Sequence, residues 1–367
     1  MSKPAIILAA LGALVLAGCG PQEPIRIGFI GGLSDRNSDN GQSGLNGVIL
    51  AVEDFNRAGG SDGRLVELIA RDDAQNRETA ANSAGELVAA KVEAVIGPFT
   101  SGMAEVIVPI TGKAGIFQVS PTITSMAFYG KDDNLFRINR TTRENARDYA
   151  KVMVGRGQRK IAVAYDMRNR NFTESWLAEF RTSVAAEGAE IAVAVPYESS
   201  GETDFAQLVS LMLASTPDSL FFISGALDVA RLAQQSRKLA PAMPIGASEW
   251  AATEQLVELG GKLVDGLLIV QNYDRDDVSP RFKSFSDAYL KRFSRTPGYS
   301  SVSAHDAATV VLTALKKRRS GESLKAAALT AGPYQGLQQQ IVFDANGDTQ
   351  RQVFFTEIRS GRYVKVH

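Results

Sequence analysis

Short apolar runs and stretches with a three-to-four-residue hydrophobic period follow one another along most of this chain. Ile25–Ile30 reads as a buried strand. A helix is predicted over Gly41–Arg57, where Leu45, Val48, Ile49, Val52 and Phe55 share one face. Arg64–Ala70 is the next strand, and Asp73 is placed to cap a helix running to Ala90. Strand Val92–Gly97, helix Ser101–Lys113 and strand Gly115–Ser120 complete a βαβαβ order, the signature of a parallel sheet covered by helices.

A second series opens at Thr141, which with Glu144 forms the pattern of a capping box for a helix reaching Val154. Strand Lys160–Tyr165, helix Thr173–Glu187 and strand Glu190–Val195 repeat the alternation. Helix Asp204–Ala214, strand Ser219–Ile223, helix Leu227–Leu239 and the short strand Pro244–Ala247 extend it. No short-period repeat interrupts the two units. The predicted class is α/β, and the length beyond residue 19 exceeds what one core usually supports, so two domains are expected.

Ahead of these units an apolar run from Ala5 to Leu16 follows Lys3 and ends in Leu16-Ala17-Gly18-Cys19. The run is too short to span a bilayer and has the length of a signal-peptide core. Small residues before a lone cysteine form a lipobox, which predicts cleavage at Cys19 and lipid on its sulfur. An ordinary secretory signal followed by a chance cysteine is the plainer alternative.

Composition removes several function classes. Without Lys3 the chain carries 39 Lys+Arg against 40 Asp+Glu, so no basic excess points to nucleic acid. Cys19 is the only cysteine, which leaves no disulfide, thiolate metal site or cysteine nucleophile in the globular part. The two histidines, His305 and His367, are too few and too separated for a metal site. No Gly-x-Ser-x-Gly is present, and no cofactor is expected.

Several local phrases, in order, carry a resemblance. Gly47-Val48-Ile49-Leu50-Ala51-Val52-Glu53-Asp54-Phe55-Asn56 with Gly59-Gly60 lies in the first helix and turn. Arg71-Asp72-Asp73, Val95-Ile96-Gly97-Pro98 with Thr100-Ser101, and Ser120-Pro121-Thr122-Ile123-Thr124 follow successive strands. Phe343-Asp344-Ala345-Asn346-Gly347-Asp348 comes late. With the lipobox and the tandem halves, the chain resembles the branched-chain-amino-acid-type periplasmic binding proteins, the solute receptors of ABC importers.

That resemblance implies a type I periplasmic-binding-protein fold, two Rossmann-like lobes joined by three crossovers near Thr141, Tyr273 and Gly332. It assigns residues 25–141 plus 274–332 to one lobe and 142–273 plus 333–367 to the other, after a signal peptide 1–18 and a lipidated linker 19–24. A ligand is expected where the C-terminal strand edges face each other. An inner-membrane permease is the expected partner, and the lipid anchor the expected link to the membrane, in the periplasm or at the cell surface.

Ser101, just past a strand and opening a helix, has a hydroxyl and neighbouring backbone amides suited to a carboxylate. Helix capping alone would also account for it. By resemblance Ser101, Thr122 and Thr124 grip the ligand's carboxylate, and Glu249 receives its ammonium. An exposed glutamate at a helix start is the plainer reading of Glu249. Asn40 and Gly225 stand where the family has tyrosines; Phe172 keeps a ring, Trp250 adds one, and Ile123 and Ala226 complete the predicted lining. Arg168 and Arg170 read as solvated surface, and His305 as a packed helix position. A regulatory lipoprotein that uses the fold to bind a protein is the second function class, and a hydrolase a distant third.

Overall fold

The computed structural model describes residues 23–36 and 38–366; the predicted signal, Cys19 and most of the linker lie outside them. Among the described residues the chain builds two sheets. The first holds β1 (Ile25–Gly31), β2 (Val66–Asp72), β3 (Ala94–Ile96), β4 (Phe117–Ser120) and β5 (Leu135–Arg137), all parallel, in the order β2-β1-β3-β4-β5. Between them run α1 (Ser38–Arg57), α2 (Arg77–Ala89) and α3 (Ser101–Lys113). The alternation predicted for this half is what forms.

The helix starts follow local chemistry. The cap of α2 is Asn76, whose side chain accepts from the amides of Glu78 and Thr79, and not Asp73 as the sequence suggested. Asp73 turns inward three residues earlier, where its carboxylate is fully buried and accepts from the Gln75 amide. The capping box of α4 (Thr142–Gly155) forms as predicted, Thr141 and Glu144 satisfying each other's backbone groups.

The second sheet contains β6 (Lys160–Asp166), β7 (Glu190–Tyr197), β8 (Ser219–Ile223), β9 (Ile245–Ala247) and β10 (Leu268–Gln271). Helices α5 (Arg170–Ala186), α6 (Phe205–Leu213), α7 (Ala226–Leu239) and α8 (Glu254–Gly260) connect them. Two late strands, β13 (Phe354–Arg359) and β14 (Arg362–Lys365), add antiparallel to the edge, giving β14-β13-β10-β9-β8-β6-β7. Between β10 and β13 the chain returns to the first lobe as α9 (Pro280–Phe293), α10 (Tyr299–Lys317) and α11 (Leu324–Ala331), followed by the small ribbon of β11 (Tyr334–Gln335) and β12 (Gln340–Ile341).

Helix α10 shows why this return was hard to read. Ser300, Ser301, Ser303, Ala304, Ala307, Ala308, Val310 and Val311 are all buried, so it is covered nearly all round and lacks a polar face. Its small residues let it lie against α1, β3 and β4. Tyr334, Ile341 and Phe343 still pack on the first lobe's core. The chain therefore crosses back to the second sheet between Phe343 and Phe354, later than Gly332.

Candidate functional site

Where the two sheets' C-terminal strand edges meet, Phe99, Thr100, Ser101, Thr122, Asn169, Phe172, Glu249, Trp250, Asn272 and Tyr299 enclose a cavity of about 20 Å³. Each lies just beyond a strand or opens a helix, the loop position that ligands occupy in open α/β sheets. The space is about that of one water, so the lobes here are drawn tightly together.

The first-lobe wall is the start of α3. Its N-cap, Thr100, makes no side-chain cap bond, because the hydroxyl donates instead to Gln75 Oε1 at 2.9 Å. Ser101 is 1% exposed, and its Oγ is buried without a hydrogen-bond partner. A hydroxyl left this way costs about 1–3 kcal/mol unless something else meets it. Nearby, the Thr122 hydroxyl donates to the Phe99 carbonyl at 2.6 Å and fixes the adjoining turn.

The second-lobe wall centres on Glu249, which is buried rather than exposed, after β9. Its Oε1 accepts from Asn145 Nδ2 at 2.9 Å and from Thr124 Oγ1 at 3.4 Å; its Oε2 accepts from Trp176 Nε1 at 2.9 Å. Burial pushes the carboxyl above its ordinary range, and hydrogen bonds from its own backbone amide, Trp176 and Asn145 pull it back. With Thr124 and its own backbone amide added to Trp176 and Asn145, four donors meet a carboxylate with roughly four acceptor directions, so its hydrogen bonding is already filled. Beside it Phe172 and Trp250 meet edge to face with centroids 5.9 Å apart.

Ser101, Thr122, Phe172, Glu249 and Trp250 are thus brought to one place. Thr124 reaches the site only through Glu249. Three other predicted lining residues stand away from the cavity. Ile123 packs with Ala104 and Leu135, because the strand-end turn points its side chain into the first lobe. Ala226 opens α7 but faces the second lobe's core. Asn40 accepts from Ser300 Oγ at 2.7 Å and stands behind Tyr299. Of the residues read as bland, His305 is packed against Phe285, while Arg168 is not simply solvated: it faces Asp35 of the other lobe at 3.7 Å.

Phe99, Thr100, Asn169, Asn272 and Tyr299 escaped the sequence reading, as did the Glu249 partners Asn145 and Trp176. Asn272 follows a strand and Tyr299 opens a helix, but neither element is evident from periodicity. Trp176 has the spacing of an ordinary core aromatic; only the fold reveals where its indole N–H points. Among the described residues, no group of three or more His, Cys, Asp or Glu could hold a metal ion, and no helix is long and apolar enough to cross a membrane.

Comparison with known proteins agrees with this architecture. Residues 24–362 match the family model described as periplasmic binding protein. The leucine-, isoleucine-, valine-, threonine- and alanine-binding protein of Pseudomonas aeruginosa is 23% identical over 333 residues, 89% of this chain and 87% of that one. The branched-chain amino acid transporter substrate binding protein of Streptococcus pneumoniae, solved with isoleucine, superposes with a TM-score of 0.85 at 24% identity, over 94% of this chain and 100% of that one. An R. palustris solute binding protein solved with benzoate gives a TM-score of 0.83 at 18% identity, over 94% and 95%. With nearly the whole length matched and the site at the facing strand edges, the chain belongs to the periplasmic binding protein family and has its two-lobed type I fold.

Proposed function

We propose that this chain is a non-enzymatic, extracytoplasmic solute receptor that delivers a small carboxylate-bearing solute, an amino acid or a related acid, to an ABC permease. The observation that carries the reading is the buried, unpartnered hydroxyl of Ser101 in the first turn of α3, whose own N-cap side chain makes no cap bond. The positive end of a helix and an unmet hydroxyl together suit a carboxylate. On the opposite wall the Glu249 carboxylate lines the same cavity and offers a negative charge to an ammonium. Lipid on Cys19 would hold the receptor at the membrane without a spanning segment.

An aromatic acid is the second reading. Four rings, those of Phe99, Phe172, Trp250 and Tyr299, line the cavity, and Glu249 is already held by four donors. The benzoate carried by the R. palustris neighbour supports it. Calorimetric titration with L-leucine, L-isoleucine and benzoate separates the two. Ser101→Ala should weaken whichever solute binds about tenfold or more, since a hydrogen bond to a charged group contributes roughly 1.5–3 kcal/mol. Unchanged affinity in Ser101→Ala would refute the carboxylate assignment. Failure of every amino acid and small acid to bind would favour the regulatory scaffold.

A further inference from the structure

Asn169 stands at the N-cap position of α5, yet its side chain makes no cap bond on its own helix. It reaches across the cleft instead. Its Oδ1 accepts from the Gly102 amide at 2.9 Å, in the first turn of α3, the helix whose own N-cap side chain is engaged elsewhere. Asn169 is buried, 4% exposed, and its backbone comes close as well: a Cβ on Gly102 would sit 3.2 Å from Oδ1 and 3.6 Å from the Arg168 carbonyl. Glycine at 102 is what lets the second lobe approach this near.

The contact belongs to a seam. Arg168 faces Asp35 at 3.7 Å, Asn171 Nδ2 donates to Glu105 Oε1 at 2.8 Å, and Ser125 Oγ donates to the Asn171 carbonyl at 3.0 Å. The Met126 amide donates to Ser175 Oγ at 3.1 Å. Residues 168–175 of the second lobe are therefore fastened to the first lobe by bonds in which no solute takes part.

We propose that Asn169 is a built-in stand-in for the solute's carboxylate: its carboxamide oxygen caps α3 from the opposite lobe, holds the cleft shut, and must be displaced for a solute to enter. This rests on the carboxylate reading of the α3 start. One amide hydrogen makes one good bond, and the space left beside it is about 20 Å³, so a carboxylate and Asn169 exclude each other there. Asn169 then sets a threshold. A solute that offers the helix a better acceptor wins; one without an acidic group does not.

Hydrogen exchange on the full chain, without added solute, tests the seam directly. The Gly102 and Met126 amides should both be protected in the native chain. In Asn169→Ala both should exchange about fivefold faster, the weight of one helix cap. Asn169→Asp should restore protection, because a carboxylate accepts the same bond and suits a helix start. Met126 is the informative amide, since its own partner, Ser175, is untouched. Free exchange of both amides in the native chain, or Met126 unaffected by Asn169→Ala, would overturn the proposal. Titration with L-leucine and benzoate adds a separate arm. Whichever binds should bind Asn169→Ala about fivefold more tightly, and weaker binding would show that Asn169 holds the solute rather than competing with it. If neither binds, the carboxylate reading fails while the exchange result still decides the seam.

Discussion

Arg137→Ala should destabilise the fold by about 3–5 kcal/mol, the cost of leaving one partner of a buried ion pair alone. Arg137 closes β5 and is 2% exposed. Its Nε and Nη2 both donate to Asp348 Oδ1, the former at 2.7 Å, and its Nη1 donates to the Ser125 carbonyl at 3.0 Å. Asp348 Oδ2 accepts from the Gly130 amide at 2.8 Å. Removing the guanidinium strands a carboxylate that water barely reaches. The turn carrying Asp348 is also fixed by backbone: the Arg137 amide donates to the Gly347 carbonyl at 2.9 Å. Gly347 has φ +82°, and a Cβ there would fall 2.1 Å from the Phe136 ring, so no other residue fits. The late Phe343–Asp348 phrase is therefore a structural clasp near the third crossover. Urea denaturation measures the loss, and a change below about 1 kcal/mol would contradict it. Replacing both partners by apolar residues of similar size, Arg137→Met with Asp348→Leu, should cost less than Arg137→Ala alone.

Acidification from pH 8 to pH 5 should stabilise the chain by a few kcal/mol, the reverse of ordinary acid denaturation. Burial raises Asp73 to about 7, helped by the neighbouring charges of Asp35 and Asp72, and raises Asp39 and Asp166 each to about 6. Unfolded, all three are ionised above about pH 4. Folded, they keep their protons up to pH 6 or 7. The folded state thus binds more protons between about pH 4 and 7, and stability falls as pH rises through that window, with no further loss from these groups above it. At about 1.4 kcal/mol per pH unit per group, two units for Asp73 and one each for the others bound the gain at about 5 kcal/mol. His305 works in the other direction, because burial lowers its pKa and the unfolded chain takes up that proton first. Urea midpoints at pH 5 and pH 8 provide the measurement; a midpoint at pH 5 no higher than at pH 8 would refute the expectation. Asp73→Asn should remove the largest share of the difference.

Between Ile25 and Ala247 most elements were legible because local signals and tertiary demands agree there, the short strand β5 and the cap of α2 being exceptions. Helix Ser101–Lys113 and strand Ser219–Ile223 form with the bounds their residues predict, each set by an abrupt change of pattern. Beyond Ala247 the agreement ends. Helix α10 is buried on nearly every side, and β13 and β14 pair antiparallel on the edge of an otherwise parallel sheet. The site divides similarly. Ser101 and Thr122 could be found because they follow strands that periodicity reveals. Glu249 could be placed only by resemblance, and its burial comes from Asn145 and Trp176, over 70 residues away in sequence. Asn169 has the sequence signature of a local cap, yet its partner lies on the other lobe.

Every cavity residue sits on a loop or at a helix start, while the strands behind them pair through backbone ladders. The two walls are nevertheless unequally open to revision. The α3 side presents first-turn peptide groups, which no substitution can recode, beside the Ser101 hydroxyl. Glu249 is moored by Trp176 and Asn145, so altering it disturbs an aromatic core that includes Tyr149, Phe180 and Phe221. Asn272, which follows β10 and belongs to no hydrophobic core cluster, is the cavity position freest to change, whereas Phe172, Trp250 and Tyr299 are also core side chains. Revision of this cleft is therefore confined to few positions, because most of its lining also holds a lobe together.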